Sequence, residues 1–538
     1  MTRDPSKLTQ RTFDLLIVGG GIMGAGIAWD ASQRGFSCAL VEQGDFASGT
    51  SSKTTKLIHG GIRYLENFDF GLVRQAIRER KTLLRLAPHL VQPLSFLIPV
   101  KGNAPRPWPL VRLGVALYDL LAGSARIQSH AFLNRKQISE QEPLLAQVGL
   151  RHGALYYDAQ MDDARLVLEV LQSAADSGGV VANYIKLVRW KMAGGRLTGA
   201  EMEDRLSGTT ISVKARMILN ATGPWADRVR RLADPALPPI VRPSKGIHLV
   251  YPDLGLKHAL VLASPADQRI FFLIPWRGVT LIGTTDTDCD EDPADVRAES
   301  DEVDYLIQGV NRLLPQLHLE KTGVISTFAG VRPLVAQEKK DPWAVSRSHL
   351  IHEDPNGLVS IVGGKFTTFR ATAQEVVDWV GRCFPDKKLE LCRTSSSPLG
   401  PQATSWRTPE MKEKLQSLLA GGDLYPPLVS RLVHRYGAQA VHLLEWIQSD
   451  SRMAEPLCPH HPFLKAEVRY ALEQEMAVSI GDIFWRRFGI GHSICRGLDA
   501  LEPAVQVGKD VLGWPLAEVQ RQISEYRSEI ALQFHVIS

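Results

Sequence analysis

Residues 13–42, FDLLIVGGGIMGAGIAWDASQRGFSCALVE, decide how this chain folds. Five of the first six are apolar, and Leu15 to Val18 run unbroken, as in a strand buried on both faces of a parallel sheet. Gly19, Gly21 and Gly24 follow at the spacing G-x-G-x-x-G. A helical pattern then runs to about Arg34 and is closed by Gly35, ahead of a second apolar strand, Cys38 to Val41. Glu42 ends that strand, about twenty residues past the glycines. Each part has a physical task. Gly19 permits the tight turn, Gly21 lets a pyrophosphate approach the backbone, and Gly24 lets the helix pack on the strand. The amides of the first helical turn, around Ile22 and Met23, then face two negative charges. Glu42 is placed to accept hydrogen bonds from a ribose. The glycine spacing alone is a weak signal. Strand, helix, second strand and acidic end together specify a dinucleotide site.

The rest of the chain bounds what surrounds that unit. Its 538 residues suggest three or so domains. Hydrophobic residues at 44% and charged residues at 22% are ordinary for a globular protein with a large core. A net charge of +4 is too small to point to nucleic acid, though it favours an anionic membrane or a phosphorylated substrate. The six cysteines are scattered with no C-x-x-C pair, which fits reduced thiols in a reducing compartment. The first twelve residues, MTRDPSKLTQRT, are polar, so no secretory signal is expected. No run approaches the roughly 18 apolar residues of a membrane span.

After Glu42 comes QGDFASGTSSKTTKLIHGGIRYLE, dense in hydroxyls. It follows the second strand at the carboxyl edge of the sheet, where ligands sit. Thr50, Ser51, Ser52, Lys56, Leu57, His59, Gly60 and Gly61 are therefore expected to contact the cofactor. Phe70 to Leu86 reads as a helix stopped by Pro88. From Leu110, the spacing of Leu113, Leu117, Leu120 and Leu121 gives an apolar helical face. Arg106 and Trp108 flank its start. Packing inside its own domain and lying on a membrane interface both fit that face. His152 to Leu171 reads as a strand leading into a helix, with Asp162 and Asp163 as caps. Val180 to Val188 and Ile211 to Leu219 read as strands. The second ends in NATGPWAD, where Ala221, Thr222 and Gly223 bring backbone close to a ligand again. Trp225, in that turn, is grouped with the cofactor residues, although it reads better as core.

From Pro235 to about Gly330 the period changes to two, in GIHLVYP, RIFFLIPW and VTLIGTTD, as in an antiparallel sheet. The acidic run from Asp286 to Asp304 fails the EF-hand pattern. Glu291 stands where glycine is needed and Arg297 where glutamate is needed, so it reads as a solvated loop and helix start. Leu358 to Val362 is a strand, Gly363-Gly364 its turn, and a helix starts near Thr367. Pro398 to Trp406 reads as a linker. Beyond it, Glu410–Ala420, Pro427–Tyr436, Ala438–Ile447, Phe463–Ile480 and Leu516–Phe534 read as helices. Cys458, His460 and His461 lack a fourth ligand nearby, and no metal is expected.

VGGGIMGAGIAWDASQRG, TSSKTTKLIHGGIRYLE, NATGPWAD, GVRPL and the late GGKFTTFRATA together resemble the FAD-dependent, quinone-linked glycerol-3-phosphate dehydrogenases, over about residues 13 to 375. One departure is Phe369, where that family usually has tyrosine. The resemblance implies an α/β fold, α+β overall. A two-dinucleotide-binding-type FAD domain would carry an inserted antiparallel-sheet substrate domain and a C-terminal all-helical domain. The expected division is 13–90, 151–234 and 330–397 for the FAD domain, 91–150 for a helical insertion with a membrane-facing surface, 235–329 for the substrate domain, and 398–538 for linker and helical domain. Gly364, Lys365, Phe366 and Thr367 join the cofactor residues.

The implied reaction is oxidation of sn-glycerol 3-phosphate to dihydroxyacetone phosphate, with hydride passing to FAD and electrons to a membrane quinone. A phosphate dianion calls for arginine forks and lysine, hence Arg63, Arg332 and Lys365, with Tyr64 beside them. His248, in SKGIHLVY, matches the family's active-site histidine and suits a neutral base, and either it or Arg332 is expected to handle the proton. The implied location is cytoplasmic, peripheral on the inner face of the cell membrane, with no nucleic-acid partner and a homodimer left open. The rivals are an oxidase using oxygen, another FAD-dependent amine or alcohol oxidase, and a flavin-bearing RNA-binding or scaffold protein.

Overall fold

The computed structural model describes residues 1–101, 106–146, 149–336, 349–399 and 426–534, together with 413 and 417. Two large sheets meet along one cleft. The first has eight strands and is built on Thr12–Val18, which pairs in parallel with Cys38–Val41 on one side and Thr210–Asn220 on the other. Val180–Ala182 and Leu358–Gly363 extend the parallel run at its two ends, and His349–Glu353 closes one edge antiparallel. The chain leaves the central strand in one direction and returns on the other side of it. That is a topological switch point, and it opens a crevice at the carboxyl ends. The helix Ile22–Gln33 is apolar on every side, so it is buried all round, between Asp163–Asp176 and Phe369–Arg382. Gly26 lets Phe369 close on it, since a Cβ there would lie 2.8 Å from that ring. The ring standing in for the family's tyrosine is fully buried.

The second sheet has ten strands and gathers more of the chain than its period-two stretch announces. Val241–Pro252, Ala259–Ala263, Ile270–Trp276 and Val279–Gly283 are there as expected. So are Leu57–Ile58, Val91–Val100, Ala131–Asn134 and His152–Met161, which the sequence division gave to the FAD domain or to a helical insertion. Val91–Val100 pairs antiparallel with His152–Met161 along its whole length. Pro93 and Pro99 hide that strand from a reading by pattern. Ser326–Val335 runs across the expected boundary at residue 330 and pairs with Val241–Pro252.

Other expectations shift locally. Val180 to Val188 is two strands, broken where Tyr184 takes a φ of 55°. The helix Trp108–Ala122 forms, but Val111, Val115, Tyr118 and Ala122 face the core, while Leu110, Leu113 and Leu120 stand in solvent. Phe463 to Ile480 is a hairpin strand, His461–Leu464, and a shorter helix, Lys465–Gln474. Leu498–Leu512 is a helix that Pro503 concealed. The linker and the helix expected over 410–420 lie outside the described residues, apart from the linker's first two positions and residues 413 and 417.

The helical domain docks on both sheets. Its Arg487 donates to Asp45, with Nη2 3.0 Å from Oδ1, and Arg486 pairs with the same carboxylate. Burial opposes the charge on Asp45, yet the two guanidiniums hold its carboxyl below the usual range. Toward the second sheet, Thr327 donates its hydroxyl to the Gln533 carbonyl at 2.9 Å. The His492 ring lies 5.3 Å from Phe328.

Candidate active site

A cleft of about 1200 Å³ runs from the carboxyl ends of the parallel strands to the face of the second sheet. Its first end is made of backbone. Gly19 adopts φ +115°, and a Cβ there would lie 2.5 Å from the Ala221 carbonyl oxygen. A Cβ on Gly24 would lie 1.9 Å from the Gly19 oxygen, so the helix reaches the turn only because that residue is glycine. Gly21 is the N-cap and no side chain caps the helix. The first-turn amide of Ile22 donates to Ser51 Oγ at 3.0 Å. Glu42 accepts from the Gly20 amide at 2.8 Å and the Gly44 amide at 3.0 Å. Burial raises its pKa against those two bonds. A carboxylate has about four lone-pair sites, so Glu42 keeps capacity for a ribose.

Most expected cofactor residues line this cleft. They include Gly19, Gly21, Ile22, Met23 and Glu42 from the first unit, and Thr50, Ser51, Leu57, His59 and Gly61 from the following loop. Ala221, Thr222 and Gly223 line it from the second turn, and Gly364, Lys365, Phe366 and Thr367 from the late one. Trp225 is a cleft wall rather than core. It is half-buried, donates Nε1 to Asp292 at 3.3 Å, and packs on Gly49.

Four expected contacts stand behind the wall. Gly24 serves helix packing. Ser52 turns its carbonyl to Lys56 Nζ at 2.6 Å. Lys56 is buried and pairs with Asp163 at 2.7 Å, between the rings of Trp276 and Phe328. Gly60 is held from behind, its amide donating to Tyr118 Oη at 3.0 Å and Asp158 at 3.1 Å. Asp163, expected only to cap a helix, therefore also neutralises a buried ammonium.

The second end is made of side chains, and all five expected there line it: Arg63, Tyr64, His248, Arg332 and Lys365. His248 lies on Val241–Pro252, opposite both Gly283 and Phe328. Gly283 leaves room for the ring, since a Cβ there would be 2.4 Å from His248 Cδ2, and Phe328 stacks on it at 4.8 Å. His248 Nε2 meets Thr55 Oγ1 at 3.0 Å, and Nδ1 is buried with no hydrogen-bond partner. Burial, then Arg332 and Lys56, push this imidazole well below its usual pKa, so it is neutral. Burial takes His59 down to about 4.

Arg332 reaches past Gly246, where a Cβ would lie 2.3 Å from its Nη2. Its fork donates to Thr284 Oγ1 at 2.9 Å, Asp286 at 3.1 Å and the Thr285 carbonyl at 3.1 Å. Lys365 Nζ sits 3.5 Å from the centre of the Tyr64 ring. Gly61, at φ +75°, lets that ring in.

Several residues were not singled out by the sequence. Thr55 orients His248. Asp286 is a half-buried anchor for Arg332 rather than part of a solvated acidic loop. Arg269 and Lys53 also line the cleft, and burial, then Arg297 and Arg486, lower the Lys53 pKa to about 8. The hydroxyl density around Thr55 was visible in the sequence. The pairing of Asp286 with Arg332 is a product of the sheet register.

The backbone cradle, the glycine-capped helix start and Glu42 fit a dinucleotide, and the cleft is too large for a small alcohol alone. Residues 14–379 match the family described as FAD dependent oxidoreductase, and residues 392–519 the C-terminal domain of alpha-glycerophosphate oxidase. A glycerol-3-phosphate dehydrogenase of Synechocystis is 36% identical over 545 residues, covering 97% of each chain. Glycerol-3-phosphate dehydrogenase 2 of Mycobacterium tuberculosis is 35% identical, covering 97% of this chain and 89% of that one. The FAD-complexed glycerol-3-phosphate dehydrogenase from Bacillus halodurans superimposes with a TM-score of 0.81 at 31% identity, covering 99% and 97% of the two chains.

The chain belongs to the FAD-dependent glycerol-3-phosphate dehydrogenases. FAD is accordingly the cofactor of this dehydrogenase, and the glycine turn and Glu42 have the geometry that could hold its dinucleotide part.

Proposed function

We propose that the chain oxidises sn-glycerol 3-phosphate to dihydroxyacetone phosphate and passes the electrons to a membrane quinone. The observation that carries the substrate reading is the set of side chains that share this cleft, a neutral His248 with Arg332, Lys365 and Arg63. Oxidising a secondary alcohol releases a hydride and a proton. FAD supplies the hydride acceptor. His248 takes the hydroxyl proton, while Thr55, 3.0 Å from its Nε2, holds the ring in place. Arg63, Arg332, Arg269 and Lys365 bind the phosphate dianion. Thr284 and Asp286 keep the Arg332 fork in plane. Phe328 and Phe272 bring apolar surface to the site, which strengthens these charges.

The membrane reading is supported by the helix Trp108–Ala122, where Leu110, Leu113 and Leu120 are 51%, 65% and 76% exposed. Phe68, 78% exposed, ends the turn that packs beside it. Among the described residues no helix is long and apolar enough to cross a membrane. The exposed leucines fit a surface that lies on the cytoplasmic leaflet. Anaerobic mixing with glycerol 3-phosphate should bleach the flavin, and a short-chain quinone should restore its colour. Persistence of the oxidised spectrum would overturn the substrate. Stoichiometric peroxide in air, with no quinone reduction, would favour the oxidase. Leu113→Glu with Leu120→Glu should abolish flotation with anionic vesicles while bleaching is kept.

A further inference from the structure

The helical domain carries a cluster of its own, outside the cleft. Its hairpin Pro456–Cys458 and His461–Leu464 sets Cys458 directly opposite His461, so the two side chains share a face. Cys495 arrives from the turn before Leu498–Leu512. Its Sγ lies 3.5 Å from His461 Nε2, and the ligand atoms of Cys458, His461 and Cys495 all lie within 4.8 Å of one another. Tetrahedral Zn–S and Zn–N bond lengths put sulfur and nitrogen roughly 3.5 Å apart. Two sulfurs and an imidazole, with no carboxylate among them, select a thiophilic ion. Cys458 is buried and the other two are half-buried, which gives the site an inner wall and an entry side. Ser493 Oγ, 2.9 Å from the same His461 nitrogen, borders the entry.

We propose that Cys458, His461 and Cys495 bind one zinc ion, with water as the fourth ligand. The sequence hid this site because its neighbouring candidate is the wrong one. His460 reaches toward Asp499, 3.4 Å away, and the third ligand is instead Cys495, 34 residues beyond His461. The ion fastens the hairpin to the segment that carries His492 against Phe328, the residue stacked on His248. The three ligands lie outside the cleft lining, so the reaction does not pass through the ion.

The test uses the full-length, FAD-loaded protein under reducing conditions, stripped with a chelator and titrated with zinc or cobalt(II). One equivalent should bind, the melting temperature should rise, and cobalt should give ligand-field bands in the red, where oxidised flavin does not absorb. Cys495→Ser and His461→Ala should each weaken binding by more than about 100-fold, the loss that even an outer-shell partner can cause. Both should keep their flavin content, which separates ligand loss from misfolding. Zinc uptake no greater than in the Cys458→Ser/Cys495→Ser double variant would overturn the proposal. So would equal melting with and without zinc, or undiminished binding by Cys495→Ser.

Discussion

Gly19, Gly21, Gly24 and Glu42 come from thirty consecutive residues, and they shape one end of the cleft with backbone. At the other end, Thr55 meets His248 across 193 residues, and Arg332 meets Asp286 across 46. At Gly19 and Gly24 the first end tolerates no added atom, because the contacts there are backbone carbonyls that cannot move aside. The second depends on which charge or ring is present, because its side chains are held by other side chains. The difference separates holding a cofactor from selecting what reacts with it.

The largest effect should come from the backbone end. Gly24→Val places carbon on the Gly19 carbonyl, and the protein should purify without flavin, read as the ratio of flavin to protein absorbance. Full flavin content there would break the comparison outright. At the other end flavin should stay while turnover falls. His248→Asn should lower kcat by about 10²–10⁴, the usual range for a lost general base. Arg332→Ala should lower kcat/KM by about 100-fold, near 3 kcal/mol, and mostly through KM in steady-state assays. Loss of flavin in either variant would erase the distinction between the two ends.

The smallest effect is the most specific. Thr55→Val should lower kcat by about fivefold, the worth of one hydrogen bond near 1 kcal/mol, and Thr55→Ser should restore it. The pH profile sharpens the same point. Only neutral His248 accepts a proton, and burial with Arg332 and Lys56 lowers its pKa. The acid limb of kcat/KM should therefore fall below the ordinary histidine range. Arg332→Ala removes one of those causes and should move the limb upward.

The dinucleotide unit was legible because its signal is local. Strand, turn, helix and acidic end sit within one stretch, and each glycine answers a contact inside or beside that stretch. The five catalytic candidates were legible only through motifs that resemble a known family, since no spacing links His248 to Arg332. What stayed hidden was register. Val91–Val100 carries two prolines and reads as broken chain until His152–Met161 pairs with it. The helix Trp108–Ala122 shows two apolar stripes, and its sequence does not say which one meets Tyr118 and which meets solvent. Asp286 looked like a surface acid because the arginine that pairs with it lies 46 residues away on Ser326–Val335.

Asp45 stands three residues after Glu42, at the rim of the nucleotide crevice, and the guanidinium paired with it at Arg486 comes 441 residues later. A carboxylate enclosed in protein without its counter-charge costs several kcal/mol. Without Arg486 and Arg487 the loop after Glu42 would have to bury that charge alone, so the shape of this loop is set by a segment more than 400 residues away.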